Sequence, residues 1–226
     1  MDDVKYTQYY VAFLDILGFK NLVNDPNRTC EEIVRIYDFV QYRYETFFKS
    51  EIEIQNNIKM KVMSDSICLY IKTDFPNALH YLISYCVTFQ CDLFANGHLL
   101  RGGITSGDMY VENDIIFGPA LTEAYLLEEK NAKVPRIIIR KKTMDEGIVG
   151  MDEDALKITK HIIFRDNDAF YTLNYFWLLA LRQDKNDDLL KEVKDTIANQ
   201  LDTTIDDSIR QKYLYIEKNL NRYLRG

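Results

Sequence analysis

Residues 9–23 read YYVAFLDILGFKNLV, and the fold turns on how this stretch is understood. Val11, Phe13, Leu14, Ile16 and Leu17 form a strand-like apolar run that belongs in a core, yet Asp15 stands in its middle. A buried carboxylate without a partner is costly or is driven to its neutral form. Asp15 must therefore hold something. The residues that follow it, GFKNLV, read as a helix start, whose free amide N–H groups favour an anion such as phosphate.

Outward from this strand, the helical spacing of Ile33, Ile36, Tyr37, Val40, Tyr44 and Phe47 predicts a long amphipathic helix over 30–49. Residues 56–72, NNIKMKVMSDSICLYIK, read as two β-rich runs hinged at Ser64-Asp65-Ser66. A second helix is predicted over 75–97, with Pro76 near its first turn and Asn96-Gly97 stopping it. LLRGGITSGDMYV (99–111) and DIIFG (114–118) suggest strands joined by a tight hairpin at Glu112-Asn113-Asp114. A short helix, ALTEAYLLEEK (120–130), leads into PRIIIRKK (135–142), a strand of β-branched residues. The order begins with the β-α-β-β-α-β arrangement, so the expected class is α+β with a ferredoxin-like core sheet and added strands.

Near residue 143 the texture changes, which divides the chain into a core of 1–142 and a C-terminal extension of 143–226. HIIFRDNDAFYTLNYFWLLAL (161–181) adds a strand and a short apolar helix, and residues 186–201 and 206–224 read as two amphipathic helices. In the last, Ile209, Tyr213, Ile216, Leu220 and Tyr223 form a stripe at helical spacing. This hairpin is expected to dock on the main sheet or to serve a dimer contact.

A net charge of −7 and a pI near 5.1 argue against a protein that coats duplex nucleic acid, which needs a basic face. No apolar run approaches the roughly 18 to 20 residues of a membrane span, and the start MDDVKYTQ is unlike a signal peptide. A cytoplasmic location is expected. Cys30, Cys68, Cys86 and Cys91 form no C-x-x-C pair, and His80, His98 and His161 stand singly, so neither zinc nor a thiol–imidazole pair is expected. The P-loop pattern and the G-x-S-x-G nucleophile elbow are both absent.

Asp15 has a counterpart in Asp65, 50 residues on, at the hinge of KVMSDSICLY. In a β-α-β-β unit the end of the first strand comes near the hairpin after the second, where the two carboxylates can face one another. Carboxylates so placed repel unless a divalent cation lies between them. Magnesium takes hard oxygen ligands, commonly one or two carboxylates with substrate phosphates and water. Two such ions can activate an attacking hydroxyl and neutralise the departing oxygen of an in-line phosphoryl transfer.

These residues resemble the catalytic domain of the class III nucleotide cyclases. FLDILGF (13–19) is similar to that family's F-x-D-I-x-G-F, KVMSDS (61–66) to its lysine-bearing strand and second metal aspartate, and RGGITSG (101–107) to its R-x-G-I-x-x-G strand. A glycine-led helix, FGPALTEAYLLEE, and a strand opening with a cation, PRIII, follow in the family's order. The likeness spans about residues 8 to 142 and implies cyclisation of a nucleoside triphosphate to a 3′,5′-cyclic nucleotide and pyrophosphate. It implies two Mg²⁺ or Mn²⁺ ions per site on Asp15 and Asp65, with the Ile16 carbonyl a further ligand. By position, Gly18, Phe19 and Lys20 would cradle the β and γ phosphates, Arg136 would bind triphosphate and Lys61 would read the base. It also implies a homodimer, with the aspartates from one protomer and Lys61 and Ile115 from the other.

The chain departs from the family where an asparagine and a transition-state arginine normally stand, with Thr122 and Leu126 there instead. Arg101 or Arg136 is expected to supply the missing cation. Ile115 replaces a polar base-reading residue, and a Lys61 without a carboxylate partner would donate to a pyrimidine carbonyl. In this the chain is similar to the pyrimidine cyclases of bacterial anti-phage signalling, which make cyclic CMP or cyclic UMP. The rival expectation is a degenerate cyclase domain that binds nucleotide or merely dimerises; a GGDEF-type dinucleotide cyclase shares the two-metal logic but not the signature of the second hairpin.

Overall fold

Strand β1 (Thr7–Ile16) shows why the opening stretch folds as it does. Its even residues Tyr10, Ala12, Leu14 and Ile16 enter one apolar cluster, and its odd residues Tyr9, Val11 and Phe13 enter another. Alternation with both faces buried makes β1 a central strand. The computed structural model describes residues 5–166, 168–183 and 187–224. After β1 come α1 (Phe19–Asn24), α2 (Cys30–Phe47), α3 (Ile52–Asn57), β2 (Lys59–Met63), β3 (Ser66–Lys72), α4 (Ala78–Ala95), β4 (Leu100–Glu112), β5 (Ile115–Phe117), α5 (Pro119–Asn131) and β6 (Ile137–Ile139). The chain continues through α6 (Lys141–Val149), α7 (Glu153–His161), β7 (Ile163–Arg165), β8 (Tyr171–Leu173), α8 (Tyr175–Gln183), α9 (Asp187–Thr203) and α10 (Asp207–Leu224).

The sheet order is β2-β3-β1-β4-β6-β8-β7, with β5 paired on β4 outside that path. β1 lies antiparallel to β3 on one side and to β4 on the other. The four strands β2-β3-β1-β4 are therefore the ferredoxin-like core, and the α+β class read from the sequence is the observed one. Helix α4, buried along most of its length, packs on the face that carries Leu14 and Ile16. Helix α5 covers the opposite face, where Ala120 and Ala124 meet Val11 and Phe13.

Two glycines of RGGITSG allow close packing around β4, one within the sheet and one against α5. A Cβ at Gly102 would stand 2.5 Å from Leu14 Cδ2, and one at Gly103 would stand 2.6 Å from the Ala124 carbonyl oxygen of α5. Each glycine thus lets a neighbour close on β4 from its own side. Helix α2 begins at Cys30 because Thr29 and Glu32 form a reciprocal capping box.

The structure adds short helices that the sequence pattern did not reveal, namely α3, α6 and α7, and α1 forms where GFKNLV reads as a helix start. The strand expected over 135–142 is confined to Ile137–Ile139, with Lys141 already in α6. The stretch 161–181 makes a two-stranded hairpin, β7-β8, rather than one strand, before α8. Because β8 pairs with β6, one sheet runs across residues 142 and 143. The two C-terminal helices join the main core through Leu190, Val193, Ile197, Ile216 and Leu220. Tyr223, the end of the expected stripe, has its side chain outside the described residues.

Candidate active site

Register brings the carboxylates to one end of the sheet. Asp15 pairs with Ser66 of β3 and with Arg101 of β4, so Ser66, Asp15 and Arg101 form a row across three strands. Asp65 occupies the two-residue turn between the paired Met63 and Ser66, and the Ile16 amide donates to its carbonyl at 3.0 Å. Ser64 opens the turn with φ 57°. The Tyr37 hydroxyl donates to the Ser64 carbonyl at 2.9 Å, which ties the turn to α2. Burial, then the Asp65 charge, raises the Tyr37 phenol above its ordinary value.

The structure names a partner for Asp15. Arg101 Nε donates to Asp15 Oδ2 at 2.9 Å, and the same nitrogen lies 2.6 Å from Glu128 Oε1. Nε carries a single N–H, and that hydrogen is aimed at Asp15. Glu128 on α5 is 2 % exposed, and its Oε1 is buried without a hydrogen bond. Burial pushes the Glu128 carboxyl up to about 7; Arg101 opposes the shift and Asp15 adds to it. The sequence reading missed Glu128, because the EEK run that contains it reads as a solvated helix end.

One row further along the sheet lies the base-reading candidate. Lys61 pairs in register with Cys68, which pairs with Phe13, so Lys61 is on the same face as Asp15. Its Nζ forms an ion pair with Asp114 in the β4-β5 turn. This corrects the expectation that Lys61 has no carboxylate partner. The hydrogen bond from Lys61 holds the Asp114 carboxyl below its ordinary value. Ile115, the next residue, is 59 % exposed on β5.

Gly18 caps α1 in the left-handed region at φ 80°, and the first bond back to it comes from the Asn21 amide at 2.9 Å. The amides of Gly18, Phe19 and Lys20 thus precede the first helical hydrogen bond. Thr122 is exposed on α5, its hydroxyl donating to the Gly118 carbonyl at 3.2 Å. Arg136 is 8 % exposed and engaged elsewhere. Its Nη1 donates to Asp166 at 2.9 Å, and its Nη2 to Asp168 and to the Asn131 carbonyl, the latter at 2.9 Å. The structure therefore brings Asp15, Asp65, Arg101 and Lys61 to one region and commits Arg136 to a separate ion cluster.

Among the described residues no group of three or more His, Cys, Asp or Glu side chains gathers as a metal cluster. Two carboxylates and the Ile16 carbonyl are a hard-oxygen set that suits Mg²⁺ or Mn²⁺ completed by triphosphate oxygens and water. That donor set fits ions arriving with substrate rather than a closed structural centre. No helix among the described residues is long and apolar enough to cross a membrane.

No protein-family model matches the chain, and a comparison with curated proteins finds no significant match. Among solved structures, two of a bacterial light-regulated adenylyl cyclase, each 12 % identical, superpose with TM-scores of 0.53 and 0.52. They cover 76 % and 82 % of this chain, and the chain spans 53 % and 58 % of theirs. The adenylyl cyclase CyaB from P. aeruginosa is 17 % identical at a TM-score of 0.45, over 75 % of this chain and 95 % of that one. At 12 % identity the likeness to the two light-regulated cyclase structures speaks to architecture alone, and the architecture of this chain is adenylyl cyclase-like.

Proposed function

We propose that the chain is a nucleotidyl cyclase that converts a nucleoside triphosphate to a 3′,5′-cyclic nucleotide and pyrophosphate. The observation that carries this reading is the placement of Asp15 beside the Asp65 turn at one end of the sheet. Asp15, Asp65 and the Ile16 carbonyl would hold two divalent ions, which supply Lewis acidity for the ribose 3′-hydroxyl and the leaving pyrophosphate. The amides at Gly18, Phe19 and Lys20 orient the β and γ phosphates, Lys61 and Asp114 offer a donor and an acceptor to the base, and Arg101 meets charge developing at phosphorus. A homodimer would complete the site by setting Lys61 and Ile115 of one protomer against Asp15 of the other.

Ile115 now carries the preference for CTP or UTP alone, since Lys61 has a carboxylate beside it. The assay is incubation with each of the four triphosphates and Mn²⁺, with products separated by chromatography. A cyclic monophosphate and pyrophosphate from one triphosphate, lost in Asp15→Asn, support the cyclase; a cyclic purine product removes the pyrimidine assignment. We propose in addition that the product serves antiviral signalling, which is read separately, by whether cells expressing the wild type but not Asp15→Asn resist phage.

The second reading, a nucleotide-binding module without turnover, is favoured by Thr122 and Leu126 in place of the usual catalytic pair. Metal-dependent triphosphate binding with no product in any of the four incubations would establish it.

A further inference from the structure

Arg101 has one hydrogen on Nε and two carboxylates in reach of it. Asp15 Oδ2 receives it at 2.9 Å, while Glu128 Oε1, 2.6 Å from the same nitrogen, is buried and receives no hydrogen bond. A buried acceptor held at bonding distance and left unpaired needs an explanation. Nor is the approach of Glu128 incidental. A Cβ at residue 103 would lie 3.0 Å from the Glu128 amide nitrogen, so glycine there lets α5 settle until Glu128 reaches Arg101.

The arrangement has two states that differ in the aim of one N–H. With Arg101 on Asp15, that carboxylate is already neutralised and a divalent cation must compete with the guanidinium for it. With Arg101 on Glu128, Asp15 has its oxygens free and the guanidinium charge is balanced by a different carboxylate. A cation on Asp15 repels a guanidinium that stays on the same group, and the repulsion is strong at such separations in a partly buried site.

We propose that Glu128 is a positioning residue that takes Arg101 over from Asp15, which releases Asp15 to bind a divalent cation. The inference rests on Asp15 being a metal ligand, as in the function proposed above. Both acceptor oxygens lie within 3 Å of the same nitrogen, so the transfer needs no rearrangement of β1, β4 or α5. Among the described residues the terminal nitrogens of Arg101 make no hydrogen bond, and they keep their charge near the site in either state.

The test is a titration of the full chain with terbium(III), a hard-cation probe of carboxylate sites excited through the protein's tyrosines, with no nucleotide present. Glu128→Gln keeps the shape and removes the receiving charge, so terbium binding should weaken about tenfold. Adding Arg101→Gln removes the competitor, and binding by the double variant should return to within about threefold of wild type. A purely structural Glu128 predicts no such rescue. Glu128→Gln binding terbium as tightly as wild type, a double variant as weak as the single one, or wild-type binding no stronger than that of Asp15→Asn would each overturn the inference. Because turnover is not measured, a chain that shows the rescue but cyclises nothing keeps the inference and loses the cyclase reading. One that cyclises without the Glu128 effect loses the inference alone.

Discussion

Arg101 and Arg136 stand at the starts of neighbouring strands, joined where the Gly102 amide donates to the Arg136 carbonyl at 3.0 Å, and each guanidinium faces two carboxylates. Arg136 gives separate nitrogens to Asp166 and Asp168 and a further bond to the Asn131 carbonyl. Arg101 has one N–H for both Asp15 and Glu128, so one acceptor goes unpaired. A network in which each acceptor has its own donor fixes a geometry, whereas one short of a donor leaves a choice between partners. The first arrangement suits a strut between β6 and the loop after β7, and the second suits a site whose occupancy changes.

The largest effect is expected at Asp15. On the cyclase reading, Asp15→Asn should lower turnover about a thousandfold or more in the triphosphate assay, while an equal loss in Arg136→Met would make both arginines part of the catalytic centre. Arg136→Met should instead act on stability. It strands two carboxylates around a site only 10 % exposed at the arginine, and about 3 kcal/mol of loss is expected in denaturant titration. Arg101→Met should cost less at pH 6.5, because Glu128, already raised to about 7, escapes by keeping a proton. Equal losses would mean that the two clusters are the same kind of structure.

A smaller effect is expected where α5 packs on β4. Gly103→Ala sets a methyl carbon 2.6 Å from the Ala124 carbonyl oxygen and 2.9 Å from Leu127 Cβ. Neither can give way without moving α5, so about 2 kcal/mol of destabilisation is expected, together with weaker terbium binding as Glu128 is pushed off Arg101. Retained terbium affinity in a destabilised Gly103→Ala protein would separate the helix spacing from the site.

Much of this was legible in residues 9–23, because an apolar run of strand length with one carboxylate inside it identifies a core strand and a site together. The Asp15–Asp65 proximity follows from topology once the β-α-β-β order is read. Glu128 was not legible, since its burial depends on Gly103 admitting the helix, which a pattern along α5 does not contain. The role of Arg136 was obscured for a similar reason: its carboxylate partners lie 30 and 32 residues later, in a loop whose position only the β6-β8 pairing fixes. Helices α3, α6 and α7 were missed because so few turns give too short a period to register.

The finest test of the contrast is the pH dependence of stability. In the folded chain Glu128 holds its proton up to about 7, while in the unfolded chain it loses it near the ordinary glutamate value of 4.5. Between those values the folded state binds more protons, so this group's stabilising contribution is full below pH 4.5 and is lost as pH rises to about 7. The melting temperature of the wild type should therefore fall by a few degrees more between pH 5 and 8 than that of Glu128→Gln, which has no such proton to lose. Arg101→Met removes the one nearby charge that opposes the shift most, so its decline should extend above pH 7. Parallel curves for wild type and Glu128→Gln would show that the guanidinium outweighs burial. Glu128 would then be ionised in the fold throughout this range, a standing charge for Arg101 to turn to.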